Sequence, residues 1–318
     1  MHRRDFIKQT LKATALAAAA GGVGLLFHDR RSDVYQKLVV QASDFPVPDD
    51  PAWPRVTLAR DENHIAALKK ALDGVGGMDR FIRPGERVVI KPNIGWDRAP
   101  EQAANTNPIL VAETVRQCLS AGAATVIVTD VSCNHPPRCF IRSGIREAAE
   151  GAGATVILPR DEDFVRTNIG GTLLTVWPVL RHFLEADRLI NLPIIKQHSL
   201  TTCTIGLKNL FGVIGGRRNQ LHQQIDQSIV DLANSFRPTL TIIDATRVLL
   251  RGGPTGGSLD DVARKDTVIC ATDQVAGDAR AVEFLGLPAD AVTHIVLAGR
   301  SKLGNIDYRQ SGYKEILA

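Results

Sequence analysis

Four residues that a buried core rarely uses lie in a stretch rich in Ile, Leu and Phe, LINLPIIKQHSLTTCTIGLKNLFGVIGG at 189–216. They are Lys196, His198, Lys208 and Asn209. Lysine pairs with anions, and histidine transfers protons near neutral pH. Because burying an unpaired ammonium costs several kcal/mol, these lysines need a partner carboxylate or a charged ligand. We therefore expect Lys196, His198 and Lys208 to be catalytic residues in a site that binds an anionic small molecule or cofactor.

The local structure of this stretch decides whether those side chains meet. The serine and threonines at 199–202 favour a helix N-terminus, with His198 just before it and Gly212 at the helix end. A helix N-terminus there would itself attract an anion. On an unbroken helix Lys208 would lie about 15 Å further along, so a shared small ligand requires a bend, for example at Gly206. The alternative places Lys208 at a helix C-terminus, where its charge complements the helix dipole.

Polar residues also follow other predicted strands, and ligands of parallel sheets bind beyond the carboxyl ends of strands. Asp130 and Asp244 are candidates for holding a divalent metal ion, with capping of the next helix as the alternative. The segment RGGPTGG at 251–257 has neither the GxxxxGK[ST] nor the GxGxxG spacing, which favours a turn over a phosphate loop. The predicted ligand-binding residues are Lys91, Asn93, Asn191, Asn209, Gly253 and Pro254.

The elements that must position these residues alternate along the chain. Apolar, β-branched runs predict strands, and segments between them have helical periodicity, as in Ile65, Leu68 and Leu72. Near-continuous apolar strands separated by helices predict an α/β domain with a doubly wound, mainly parallel sheet and helices on both faces. Residues 170–178 are predicted as an additional hairpin or edge strand. The predicted strands are 55–59, 87–91, 125–130, 155–159, 188–193, 241–245 and 267–272.

The N-terminal segment resembles a twin-arginine export signal. RRDFIK at 3–8 precedes an Ala- and Gly-rich apolar stretch at 13–27, which is short for a membrane span. We expect residues 1–42 to be a signal peptide, or an anchor to the inner membrane if they are not cleaved. The protein would then be periplasmic or exported, with the twin-arginine machinery as a partner and no other membrane contact. Residues 43–54 read as a proline-rich linker, and residues 55–318 as the domain.

Composition narrows the function classes. Apolar residues make up 44% and charged residues 23%, as in soluble globular proteins. Residues 1–42 hold seven of the 38 Lys and Arg and three of the 34 Asp and Glu, which leaves 31 of each elsewhere. Residues 43–318 therefore have no net charge, which does not favour nucleic-acid binding. The five cysteines include no Cys-x-x-Cys pair, so an iron–sulfur cluster is not expected. Cys133 and Cys139 either form a local disulfide or stay free.

Several segments, among them VVIKPNIG, GAATVIVTD, RPTLTIIDA and DQVAGDARAVEFLG, resemble the DUF362 family in their order. The resemblance covers about residues 85–305, and its most specific block is NLP…K-x-H…LKNLFG. Ile194 and Gln197 depart from the family pattern, and the ferredoxin-type cysteine cluster of many relatives is absent. The residues that match the family pattern are Lys91, Asn93, Asn107, Asp130, Asn191, Lys196, His198, Lys208, Asn209, Gly212, His222, Asp244, Pro254, Asp273 and Asp278.

Because the family has no settled activity, the resemblance implies a site and no particular reaction. The leading interpretation is an exported protein that binds an anionic ligand at the carboxyl edge of the sheet. If it is an enzyme, His198 and the lysines supply acid–base chemistry there. The alternative is a non-catalytic periplasmic accessory or binding protein that works with an iron–sulfur redox system, as the ferredoxin-fused relatives suggest. A ligand retained by the purified protein would favour the first interpretation.

Overall fold

Thirteen strands form two sheets in the computed structural model, which describes residues 39–317. The strands are β1 (Val40–Gln41), β2 (Val56–Arg60), β3 (Arg87–Pro92), β4 (Thr125–Val128), β5 (Thr155–Val156), β6 (Phe164–Asn168), β7 (Val176–Leu180), β8 (Arg188–Leu192), β9 (Ile194–His198), β10 (Thr202–Thr204), β11 (Leu240–Leu249), β12 (Val262–Ala271) and β13 (Tyr313–Ile316).

The larger sheet has the strand order β13-β2-β12-β11-β8-β3-β4-β5, with β9 paired to β11 and β10 paired to β9. Strands β11, β8, β3, β4 and β5 run parallel, so their carboxyl ends meet at one edge. Strand β12 is antiparallel to both β11 and β2, which makes the sheet mixed. The strands predicted at 241–245 and 267–272 belong to this antiparallel pair, and each is ten residues long.

Helices cover both faces of the sheet, which confirms the predicted doubly wound α/β fold. Val88 and Ile90 of β3 pack into one core, and Val89 between them packs into the other, as the period of two in a strand requires. The first core holds α1 and α2, and the second holds α7, α8 and α9. The described helices are α1 (His64–Gly74), α2 (Pro108–Ser120), α3 (Pro136–Arg142), α4 (Ile145–Gly151), α5 (Arg181–Leu184), α6 (Gly206–Asn209), α7 (Ile225–Ser235), α8 (Gln274–Ala281) and α9 (Thr293–Arg300).

A small sheet of β1, β6 and β7 accounts for the region predicted as a hairpin or edge strand. Strands β6 and β7 are antiparallel, and β1 pairs in parallel with β6. Residues 43–54, read as a linker from the sequence, lie against the domain. Phe45 is buried, and its carbonyl accepts a hydrogen bond from Thr239 Oγ1 at 2.9 Å. An aromatic ring that packs into the core holds this segment in place.

The helix predicted from the hydroxyl residues at 199–202 is wrong. His198 ends β9, the chain turns, and β10 returns antiparallel, so that Thr202 pairs with His198 and Thr204 with Lys196. Helix α6 begins only at Gly206. Thr204 and Ile205 suit extended backbone, and pairing of β10 with β9 satisfies main-chain groups there. Thr202 instead turns the chain with a positive φ of 65°.

The predicted export signal, residues 1–42, lies almost wholly outside the described residues. From residue 39 to residue 317, no helix has both the length and the apolar character to cross a membrane.

Candidate functional site

The β9–β10 hairpin and α6 enclose a small cavity with the ends of β3 and β4. Its volume is about 60 Å³, equal to about two water molecules at the density of the liquid. The residues that line the cavity are Lys91, Asn93, Gly95, Trp96, Asp130, Val131, Cys133, Lys196, His198, Thr204, Lys208, Asn209, Phe211, Gly212, Arg218 and Pro254. The hairpin therefore brings together the three predicted catalytic residues, which an unbroken helix would have kept apart.

Lys91 and Asp130 form an ion pair in the cavity wall. Lys91 Nζ donates to Asp130 Oδ1 at 2.7 Å, and the backbone N–H of Ile94 donates to Oδ2 at 2.6 Å. Burial lowers the pKa of Lys91, and the charge of Asp130 opposes that effect. A Cβ atom on Gly212 would lie 1.8 Å from Asp130 Oδ1 and 2.5 Å from Lys91 Nζ. Only glycine fits at that position beside the ion pair.

Lys196 is buried without a carboxylate partner among the described residues. Its Nζ donates to Asn93 Oδ1 at 2.9 Å and to the carbonyl of Ala104 at 2.6 Å. Burial lowers its pKa to about 7, and the charges of Lys208 and Lys91 act in the same direction. A large share of Lys196 is therefore a neutral amine at pH 7.

Lys208 and Arg218 add two further cationic groups. Lys208 Nζ lies 4.1 Å from the centre of the Phe211 ring, a cation–π contact, and burial lowers its pKa to about 8. The guanidinium of Arg218 donates to the carbonyls of Val131 at 2.8 Å and Ser132 at 2.7 Å. Neither side chain forms an ion pair with a carboxylate in the part of the chain that the structure describes. The cavity therefore carries an excess of positive charge.

His198 is held as a neutral imidazole. Its Nδ1 accepts the backbone N–H groups of Leu200 at 3.1 Å and Thr201 at 3.3 Å, so the proton lies on Nε2. Burial lowers its pKa to about 3, and the charges of Lys208 and Lys196 reinforce the effect. The side chain therefore presents a hydrogen-bond donor, Nε2–H, rather than a free base.

Three asparagines connect the cavity to the sheet. Asn93 Nδ2 donates to Asn209 Oδ1 at 2.9 Å, and Asn209 Nδ2 donates to Asn191 Oδ1 at 2.8 Å. Asn191 Nδ2 in turn donates to the carbonyl of Gly206 at 2.9 Å. Asn93 and Asn209 line the cavity as predicted, whereas Asn191 lies behind Asn209 and positions α6.

The other predicted residues divide between the cavity and its support. Pro254 lines the cavity, but Gly253 does not. The N–H of Gly253 donates to Gln197 Oε1 at 2.8 Å, and a Cβ atom there would lie 1.7 Å from the Gln197 carbonyl oxygen. Gly253 therefore lets its loop approach β9 closely, which places Pro254.

The structure does not bring the two candidate metal ligands together. Asp130 lines the cavity, whereas Asp244 is absent from the lining among the described residues. Asp244 accepts from the backbone N–H groups of Asn107 at 2.8 Å and Thr246 at 2.9 Å, and from Thr246 Oγ1 at 2.7 Å. Within residues 39–317, no three His, Cys, Asp or Glu side chains are grouped to hold a metal ion. Asp244 thus fixes the backbone at Asn107 and Thr246.

Comparison with known proteins identifies the family. The profile described as Domain of unknown function (DUF362) matches residues 88–283, more than half of the chain. The chain belongs to the DUF362 family. It is also 26% identical over 268 residues to the thylakoid-associated protein sll1697 of Synechocystis sp., a match that covers 78% of this chain and 79% of that protein.

Two solved structures are more distantly similar to this DUF362 protein. The lactate racemase apoprotein of Thermoanaerobacterium thermosaccharolyticum has a TM-score of 0.44 and 13% identity, covering 78% of this chain and 61% of that one. A Thermotoga maritima protein has a TM-score of 0.41 and 13% identity, covering 75% and 59%. The chain spans less than two thirds of either structure. These values are too low to carry an inference about activity.

Several cavity residues of this DUF362 protein were not predicted from the sequence, among them Arg218 and Cys133. Arg218 lies in the polar run RRNQ at 217–220, where the sequence does not distinguish it from a solvent-exposed arginine. Cys133 was considered only as a disulfide partner for Cys139. The structure has both as free thiols, Cys139 buried and Cys133 exposed at the cavity.

Proposed function

We propose that this DUF362 protein binds a small organic anion in the cavity described above. The observation that supports the proposal is the charge balance of the cavity. Lys208 and Arg218 face it as cations without carboxylate partners among the described residues, Lys196 is partly charged at pH 7, and Asp130 is already paired with Lys91. Buried cations of this kind raise the free energy of the empty protein, and a bound anion offsets that effect. A carboxylate or phosphate is the group that lysine and arginine pair with best.

The size of the cavity limits the part of the ligand that enters it. About 60 Å³ accommodates the acidic end of a ligand, about the size of a carboxylate group with the carbon atom next to it. A neighbouring cavity of about 410 Å³ shares Val131 and Arg218 with the first, so a larger ligand has space beyond Arg218. The proposal is therefore a small acid, or a longer molecule whose acidic end enters the site.

The neutral imidazole gives the site a role beyond charge pairing. Because Nδ1 of His198 is already occupied, its Nε2–H is available to donate to an oxygen of the ligand. A fixed donor aimed at a carbonyl oxygen stabilises negative charge that develops there during a reaction. His198 would then act as an electrophilic donor, whereas the sequence suggested an acid–base residue.

Isothermal titration with oxalate tests the proposal. Oxalate is a small dianion without a ketone or aldehyde group, so it reports anion binding alone. We expect saturable binding to the wild type, and a loss of about tenfold or more in affinity for Lys208→Met, which removes one ammonium from the cavity. Lys314→Met is the matched control, because Lys314 is exposed on β13. Absence of binding to the wild type, or equal affinity of the two variants, would refute the proposal.

A further inference from the structure

We infer that Lys196 is a nucleophile and that the ligand is a small oxo acid, whose carbonyl carbon the Lys196 amine attacks to form an imine. The inference rests on the proposed function, because the carboxylate of the oxo acid needs the cationic groups of the cavity. It goes further by naming the reacting atom of the protein and the chemical class of the substrate.

The hydrogen bonds of Lys196 carry the inference. Its nitrogen has two acceptors, Asn93 Oδ1 at 2.9 Å and the carbonyl oxygen of Ala104 at 2.6 Å. A neutral amine has two N–H donors and one lone pair. When both donors point to these acceptors, the lone pair occupies the remaining tetrahedral direction. We place that direction towards the cavity, which Lys196 lines.

The surroundings favour the neutral amine over the ammonium ion. Both acceptors are uncharged, and the effect of burial outweighs the charge of Asp130, which favours the ammonium ion. Burial lowers the pKa of Lys196 to about 7, whereas an ordinary lysine is overwhelmingly charged at that pH. A lysine in an apolar pocket beside another cation is a recognised way of activating an amine towards carbonyl groups.

The other cavity residues suit a carbonyl acid. Lys208 and Arg218 supply positive charge for the carboxylate, and His198 Nε2–H is the donor for the carbonyl oxygen. Lys91 is unsuited to nucleophilic attack because it is paired with Asp130 at 2.7 Å. The site thus has one amine with a free lone pair, one neutral donor and two groups for an anion.

The reaction balances without an oxidant or reductant. The Lys196 nitrogen forms a bond to the carbonyl carbon, and the carbonyl oxygen becomes a hydroxyl group. One proton of the amine nitrogen passes to the carbonyl oxygen to make that hydroxyl group, which then leaves as water with the second amine proton. The product is a C=N bond between Lys196 and the former carbonyl carbon, which water hydrolyses in the reverse direction.

Reductive trapping with pyruvate tests the inference. The protein is incubated with pyruvate and sodium borohydride, and the trapped adduct is measured by intact mass and located by peptide mapping. We expect one reduced pyruvate per chain, attached to Lys196. The adduct should fall to the level of a sample without pyruvate in Lys196→Met and Lys196→Arg, while Lys314→Met keeps the wild-type amount. Lys196→Arg retains a cation at that position if the methionine variant fails to fold.

The oxalate titration separates the two proposals. Oxalate binding without an adduct on Lys196, or with the adduct on another lysine, overturns the imine and leaves anion binding intact. Failure of both oxalate binding and trapping overturns both proposals.

Discussion

Lys196 and Lys208 are unfavourable residues for the empty protein. Each is withdrawn from water without a carboxylate partner among the described residues, and burial lowers the pKa of both, to about 7 and about 8. Replacing a buried, unpaired charge by an apolar side chain commonly increases stability. Their presence is explained if both lysines serve to bind a ligand and do not stabilise the fold.

The pH dependence of stability tests this explanation. The folded-state pKa of Lys196, about 7, lies below the ordinary value of 10.5, so the unfolded chain binds more protons between those two pH values. Stability therefore rises with pH across that window, by up to about 1.4 kcal/mol per pH unit. Lys196→Met removes this contribution. The free energy of unfolding of Lys196→Met minus that of the wild type should therefore be higher at pH 6 than at pH 9, by about 2 to 3 kcal/mol.

Urea unfolding at the two pH values measures this difference. Lys314→Met again serves as the control, because an exposed lysine should show almost no such difference. If the two variants differ from the wild type by the same amounts at both pH values, Lys196 is not a destabilising buried amine.

Much of the cavity could be predicted at the residue scale. Lys91, Asn93, Lys196, His198, Lys208, Asn209, Pro254 and Asp130 were all chosen from the sequence, and all line the cavity. A polar residue among apolar neighbours can be recognised in a sequence. Burying its polar group costs free energy, so its presence there indicates a partner or a ligand. Arg218 was not visible, since it lies in the polar run RRNQ, where an arginine usually faces solvent.

At the scale of elements, the site depends on a hairpin and a very short helix. Helix α6 has four residues, too few to be stable alone, and it carries Lys208 and Asn209. Asp278 of α8 fixes its start, accepting the N–H of Gly206 at 2.8 Å and the N–H of Leu207 at 2.9 Å. A residue 72 positions from Gly206 thus determines where the ligand-binding side chains lie.

Asp278→Asn tests the role of this contact. An asparagine side chain offers one acceptor oxygen, and its NH2 group would oppose the second backbone N–H. We expect a loss of about 1 to 3 kcal/mol in the free energy of unfolding, from one unsatisfied buried donor. Weaker oxalate binding should accompany it, because α6 shifts.

Thermal unfolding and oxalate titration measure the two effects. Asp290→Asn is the matched control, because Asp290 is exposed. If Asp278→Asn unfolds and binds oxalate as the control does, the position of α6 does not depend on Asp278.

The errors of prediction also belong to the scale of elements. The hydroxyl residues after His198 suit a helix N-terminus and a strand equally well, and only pairing with β9 decides between them. Similarly, the runs at 241–245 and 267–272 look alike whether the strands are parallel or antiparallel. Their long antiparallel pairing depends on the turn at 250–261, whose conformation the residue pattern does not specify.

At the scale of the whole molecule, the sheet places the cavity at the end where β3, β4 and β8 stop. This is the edge at which open α/β sheets bind ligands. The position of the site could be predicted because apolar strands that alternate with helices indicate a parallel sheet. The order of β12, β2 and β13 in the sheet was not predicted, because the positions of strands along a chain do not determine which strands are neighbours.

Export of the whole protein remains a prediction from RRDFIK at 3–8. Arg3→Lys together with Arg4→Lys should keep the protein in the cytoplasm, because the paired arginines are the feature that the twin-arginine receptor reads. Cell fractionation followed by immunoblotting measures the distribution. A periplasmic level equal to that of the wild type would show that residues 1–42 are not such a signal.

The proton balance of oxalate binding tests the central claim most directly. At pH 8 Lys208 is about half protonated, and a bound anion favours its charged form. Titration in two buffers of different ionisation enthalpy counts the protons taken up. We predict an uptake of up to about 0.5 proton per oxalate bound, with Lys196 remaining largely a neutral amine. Binding with no proton uptake, or no binding at all, would contradict the assignment of this cavity as a lysine-based anion site.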